Sequence, residues 1–153
     1  MRAKQQGFTL VELIVVIVIL GILAATALPR FINVTDSARI AATNGVAGGL
    51  RSAVSLVQAA WQVAGGTSAI TSVSMVGGTV TVTSSGFPDT AGTTGIIAAM
   101  GCTTSPCQGI TVTGNGATWT PPNAGSCSVS YAAGTGVVTV NGTLSGGQLS
   151  SCQ

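Results

Sequence analysis

The sequence contains no histidine, and only 5% of its 153 residues are charged. Without histidine there is no Ser-His-Asp or Cys-His arrangement for nucleophilic catalysis and no metal centre of the His-containing kind. Acid is nearly as scarce. Glu12, Asp36 and Asp89 are the only carboxylates, and from Ser52 to the end Asp89 is the one charged side chain. That excludes a carboxylate pair for glycoside hydrolysis and leaves too few anionic oxygens for a typical calcium site. It also leaves no basic field to draw in phosphates, so no nucleic-acid site is readable. Glycine is abundant, but neither the lysine of GxxxxGK[ST] nor a strand–GxGxxG–helix setting accompanies it, so these glycines read as turns. The chain is expected to be no enzyme and to carry no cofactor.

What is present is concentrated at the two ends. Residues 8–28 form an apolar run interrupted by one charge, Glu12. At about 1.5 Å rise per residue, a helix of that length nearly matches a hydrocarbon core of roughly 30 Å. Arg2 and Lys4 precede it with no acid nearby, which places the start of the chain in the cytoplasm and everything after Pro29 outside. Three readings compete. The run can be a secretory signal cleaved after Ala25-Thr26-Ala27, an uncleaved anchor, or a segment retained for assembly. The first two leave Glu12 unexplained, since a carboxylate at the centre of a membrane helix costs about 2.5–3.5 kcal/mol and less near its end.

Gly7-Phe8-Thr9-Leu10-Val11-Glu12, followed by an unbroken apolar stretch to Ala25 and then Pro29, resembles the class III signal of type IV prepilins. The match at motif level covers about residues 1 to 34. The resemblance implies cleavage between Gly7 and Phe8 by a prepilin peptidase, N-methylation of Phe8, and retention of the apolar helix in a filament. It further implies that Glu12 pairs with the new Phe8 amine of a neighbouring subunit; the plainer alternative is a carboxylate snorkelling at the membrane edge. Between Gly21 and Pro29 it implies a stretch that loses helical order on assembly. The run from Gly21 to Phe31 is similar to the mannose-sensitive haemagglutinin pilins. The major pseudopilin of type II secretion shares the N-terminal motif, but commonly has acidic residues late in the chain where this one has cysteines.

Beyond Pro29, which must kink or open a helix crossing it, an apolar stripe recurs at spacings of four and three: Val34, Ala38, Ala42, Val46, Leu50, Val54, Val57, Trp61. Arg39 and Arg51 point off this stripe, and Asp36 and Arg39 read as solvated. Gly65-Gly66 should end the helix near Ala64. After it, short Val/Thr/Ile runs alternate with turn residues, and three hairpins are expected: 73–76 with 79–83, 110–113 with 117–120, and 128–132 with 137–140. Residues 96–100 fit either a helical turn or a strand.

Four cysteines in an exported chain point to disulfides. The sequential pairing, Cys102 with Cys107 and Cys127 with Cys152, is favoured, a zinc site of all four being the rival. Asn33-Val34-Thr35 and Asn141-Gly142-Thr143 fit a minimal N-glycosylation pattern and read as chance matches.

The expected fold class is therefore α+β, a long kinked N-terminal helix with a hydrophobic stick and an amphipathic half, packed on an antiparallel β-sheet head. The expected organisation is 1–7 leader, 8–29 membrane and filament-core helix, 30–64 amphipathic half, and 65–153 disulfide-braced head. The expected function is that of a structural pilus subunit, held in the inner membrane before assembly and extracellular after it. Its expected partners are identical or related pilin subunits, the prepilin peptidase and the assembly machinery. The alternatives are a type II secretion pseudopilin or a membrane-anchored binding domain that never polymerises.

Overall fold

A computed structural model describes residues 8–145 and 148–152, with side chains described outside 28–34 and 144–148. The chain forms two compact units, Met1–Thr35 and Asp36–Gln153. One helix, α1 (Leu10–Val63), supplies the first unit's described structure and the opening element of the second. α1 does not open at Pro29, where the helical assignment is continuous; the ring removes one backbone donor without ending the helix. The stop comes where Gly65-Gly66 was expected to impose it. The Gly66 N–H donates to the Trp61 carbonyl at 3.0 Å and the Gly65 N–H to that of Gln62 at 3.1 Å. These are the two bonds of a Schellman motif, and both glycines sit at positive φ, +120° and +61°.

The strands of the second unit form three antiparallel sheets rather than one. β1 (Ser72–Met75) pairs with β2 (Gly78–Thr81); β3 (Thr111–Thr113), β4 (Thr118–Thr120), β5 (Ser128–Ala132) and β6 (Val137–Asn141) make a four-stranded meander; β7 (Thr143–Ser145) pairs with β8 (Gln148–Ser151). The first pair stays separate because its outer edge is already used. The Thr81 N–H donates to the Thr94 carbonyl at 2.8 Å, the Asp89 N–H donates to that of Thr81 at 2.9 Å, and Val82 bridges to Pro88. Residues 96–100 resolve as a helical turn, α2 (Ile96–Ala99), with Ile96 and Ile97 buried.

Register explains the core. Val112 lies opposite Trp119, Trp119 opposite Val129, and Val129 opposite Val140, so one row of apolar side chains crosses the whole meander. Such cross-strand rows stabilise a sheet and leave one face that must be covered. Val46, Ala47, Leu50 and Val54 of α1 cover it, together with Ile96 and Ile97. Burying a side chain such as Leu50 contributes about 1.5–3 kcal/mol. Trp119 is fully buried, and its indole N–H donates to the Gly116 carbonyl at 2.7 Å. Gly116 has φ +98°, and a Cβ there would run into the Ile96 side chain. A glycine is required at that corner on both counts.

A second cluster joins Val57 to Val73, Val80 and Val82; a third joins Ala124, Cys127, Leu149 and Cys152, with Ile40 against it. The third cluster corrects the expected stripe. Ala38 and Ala42 are exposed, whereas Thr43 and Ala47 are buried, Ala47 beneath the meander, and Ile40 packs on the cluster of the C-terminal strand. Thr43 is satisfied locally, its hydroxyl donating to the Arg39 carbonyl at 2.9 Å.

Candidate functional site

The N-terminal segment is a helix whose described apolar side chains are exposed. Leu10–Ala27 is long and apolar enough to cross a membrane by length and composition, and none of it is buried. Phe8 is 91% exposed. Thr26, the one hydroxyl in the described span, donates back to the Leu23 carbonyl at 3.0 Å, so its polar atom needs nothing from its surroundings. Around Gly21 there is open space, with nothing within 4 Å of where a Cβ would stand.

Glu12 has a local role that sequence reasoning missed. Its Oε2 accepts from the Thr9 backbone N–H at 2.9 Å and from the Thr9 hydroxyl at 2.7 Å, while the Glu12 N–H donates to Thr9 Oγ1 at 3.3 Å. With α1 starting at Leu10, Thr9 is the N-cap and Glu12 the third helical residue, which is a capping box. The signal was present as Thr-x-x-Glu before an apolar run. A carboxylate in the first turn also meets the positive end of the helix dipole. In the uncleaved chain the Phe8 nitrogen is a peptide nitrogen and carries no charge for Glu12 to pair with. Gly7 lies outside the described residues, and Pro29 is described only through its backbone.

At the other end, Asp36 and Arg39 are half-buried and bonded to the chain rather than simply solvated. Asp36 Oδ1 accepts from the Cys152 backbone N–H at 2.7 Å, and an Arg39 guanidinium nitrogen donates to the carbonyl of the same residue at 3.4 Å. One turn of α1 thus reads both polar groups of a single residue 116 positions away. Arg51 likewise donates to the Val138 carbonyl at 3.3 Å. Cys152 is joined to Cys127 with Cα atoms 5.0 Å apart, and Cys102 to Cys107 with Cα atoms 5.6 Å apart. The smaller loop carries Ser105, whose hydroxyl accepts from the Val112 N–H and donates to the Val112 carbonyl, both at 3.1 Å. Neither the Cys152 clasp nor the Ser105 contact was readable from spacing, since both depend on which strand ends up at which place.

The Asn141 side-chain nitrogen donates to Ser130 Oγ at 2.5 Å and Ser128 Oγ at 3.4 Å, so the atom a glycan would occupy is already engaged. Beside the tip of β1 and β2, two adjoining cavities of about 310 and 290 Å³ share Gly77, Gly78, Ala98 and Gly101, and no charged side chain lines either. The Tyr131 hydroxyl, buried, donates to the Pro88 carbonyl at 2.7 Å, and burial, followed by the nearby Asp89, raises its pKa well above the ordinary tyrosine value.

The described structure thus combines an apolar N-terminal helix of membrane length with an α+β unit. Residues 2–28 match the family model described as the prokaryotic N-terminal methylation motif. The chain is 54% identical over 56 residues to the type IV narrow pilus major component PilA5 of Thermus thermophilus, covering 37% of this chain and 47% of that one. It is 48% identical over 54 residues to the type IV major pilin PilE1 of Neisseria gonorrhoeae, covering 35% and 33%. It is also 48% identical over 44 residues to the type II secretion system core protein G of Pseudomonas aeruginosa, covering 29% and 31%. The chain therefore spans less than half the length of these curated relatives. No solved structure matches. On these findings the chain carries a prokaryotic N-terminal methylation motif and is similar, through its N-terminal third, to type IV pilins and to a type II secretion core protein.

Proposed function

We propose that this chain is a structural subunit of a type IV pilus, polymerising through its N-terminal helix into an extracellular filament. The observation that carries the reading is the conjunction of the methylation motif at residues 2–28 with a helix, Leu10–Ala27, none of which is buried among the described residues. An apolar helix with its large side chains exposed must be buried by something else, first a bilayer and then neighbouring copies. Before assembly the subunit sits in the inner membrane as a single pass with a cytoplasmic N-terminus. A prepilin peptidase cleaves between Gly7 and Phe8, Phe8 is N-methylated, and the assembly machinery packs the helices together.

Cleavage changes the chemistry of Glu12. It creates a cationic amine at Phe8, and Glu12 pairs with that of a neighbour, a register device more than a source of stability. The capping box supports this: Thr9 already holds the carboxylate at the start of the helix, one turn from the new terminus. The stretch from Gly21 to Pro29 loses helical order in the filament, for which the bare surroundings of Gly21 leave room. Both disulfides, Cys102–Cys107 and Cys127–Cys152, brace the head in the oxidising exterior. The subunit performs no catalysis and serves attachment, aggregation, motility or DNA uptake mechanically.

Similarity to a type II secretion core protein favours a second reading, a pseudopilin of a secretion filament. The near absence of carboxylates after Ser52 weighs against it. N-terminal sequencing of filaments sheared from cells tests the first reading: N-methyl-Phe8 is expected, and an intact leader or a terminus at Leu28 would overturn it. Glu12→Gln should abolish assembly, while normal filaments from that variant would remove the pairing.

A further inference from the structure

β3 is an outer strand of the meander, and outer strands present unpaired N–H and C=O groups that invite another strand. In an antiparallel pair the N–H and C=O of one residue point to the same side, and successive residues alternate. On β3 the two groups of Val112 turn away from β4, and both end on the Ser105 hydroxyl at 3.1 Å. Its N-terminal flank is used as well. Cys107 and Ile110 exchange backbone bonds of 2.9 and 2.8 Å, so the outward groups of Ile110 are satisfied by the same loop. One hydroxyl, carried by the loop that Cys102 and Cys107 close, thus imitates the two hydrogen bonds an added strand would make.

Most sheets keep their edges apart with charge, commonly an edge lysine. This head cannot. Asp89 is its only charged side chain after Arg51, and Thr111, Val112 and Thr113 are neutral. The opposite edge, β6, is met by the Arg51 guanidinium on the Val138 carbonyl at 3.3 Å. Of the meander's two edges, β3 is the one met by a neutral hydroxyl. An unsealed β3 is self-complementary: two copies related by a two-fold axis through Val112 would exchange two N–H···O=C bonds, replacing the two that Ser105 provides, with no like charges opposed.

We propose that Ser105, held by the 102–107 loop, is a seal on the β3 edge, and that removing it turns that edge into a docking strand for β3 of a second copy. In a subunit that must assemble through its helix, such a seal keeps heads from pairing edge to edge.

The test is amide hydrogen exchange at Val112, measured residue by residue on the full chain in nonionic detergent micelles. In S105A, Val112 exchange should quicken by about tenfold or more in dilute protein, because the amide has lost its only acceptor. Protection should then return as protein concentration rises about tenfold, because a second copy replaces the hydroxyl by mass action. Wild type and S105T should show slow exchange at both concentrations. Unchanged Val112 exchange in S105A would show that Ser105 is not the seal. Fast exchange at both concentrations would show that the open edge does not take a second copy, and S105T behaving like S105A would discard the hydroxyl's role. Trp119 and Val129 amides report whether the sheet is intact. If S105A loses them, the C102A/C107A variant, which frees the loop, is read by the same criteria.

Discussion

Residues 8–27 and the unit beginning at Asp36 are built from similar apolar residues and use them in opposite ways. From Leu10 to Leu23 the large hydrophobic side chains are 48–79% exposed, whereas Leu50, Val57, Ile96, Trp119 and Val129 are fully buried. One segment is written for an apolar environment that other molecules supply; the other makes its own. The consequence is energetic independence. The folded unit's stability rests on its interior, and the helix's stability rests on where it is placed.

Substitutions confined to one region should leave the other's readout alone. The largest effect is expected from Trp119→Ala, which empties the centre of the cross-sheet row and should cost about 3–5 kcal/mol in chemical denaturation followed by near-UV signals, with membrane partitioning unchanged. Ile17→Arg should do the reverse, costing about 2.5–3.5 kcal/mol of insertion and shifting the chain from membrane to soluble fractions, with the head's denaturation midpoint unmoved. If either variant moved both readouts equally, the two regions would not be independent.

Next comes a dependence on pH. The ordinary tyrosine pKa is 10.0, and in the folded chain Tyr131 titrates higher, chiefly because it is buried and secondarily because Asp89 is near. Above about pH 10 the unfolded chain releases this proton while the folded chain keeps it. The contribution is therefore complete below about pH 10 and declines as pH rises, by about 1.4 kcal/mol per pH unit, until the folded group titrates too. Tyr131→Phe should flatten that alkaline decline in denaturation midpoints between pH 9 and 11, each measured against wild type. The smallest effect is Thr9→Ala. Loss of the N-cap should cost about 1 kcal/mol of local helix stability, visible as faster amide exchange in the first turn of α1 and nowhere in the head.

The legible parts were those decided by neighbours in sequence. The stop at Gly65-Gly66 and the hairpins around Gly77, Asn115 and Gly134 depend on spacings of a few residues, and the strands lie within a residue or two of where alternation places them; the Thr9–Glu12 capping pair is equally local but went unread. β7 and β8 were missed because Thr143–Ser145 and Gln148–Ser151 carry one leucine each among polar residues. The solvated reading of Asp36 and Arg39 failed for a related reason. Charge near a helix surface is usually hydrated, and nothing in the helix announces that the chain's last strand will return to it.

The sequence by itself determined that the N-terminal run would be an apolar helix, because its length and unbroken hydrophobicity act locally; the start at Thr9 and Glu12 was written there too, since capping acts over one turn, but it was recognised only in the structure. It likewise settled that the remainder would be strands and turns around a helical cover. Only the tertiary structure decided that Cys152 would rest between Asp36 and Arg39, that Ser105 would close the β3 edge, and that Arg51 would meet β6. All but the Ser105 contact join residues distant in the chain, and in every case the hydrogen-bond partners are backbone groups that every residue possesses. Such groups leave no mark on composition or spacing, so their pairing is fixed only when packing brings the strands together.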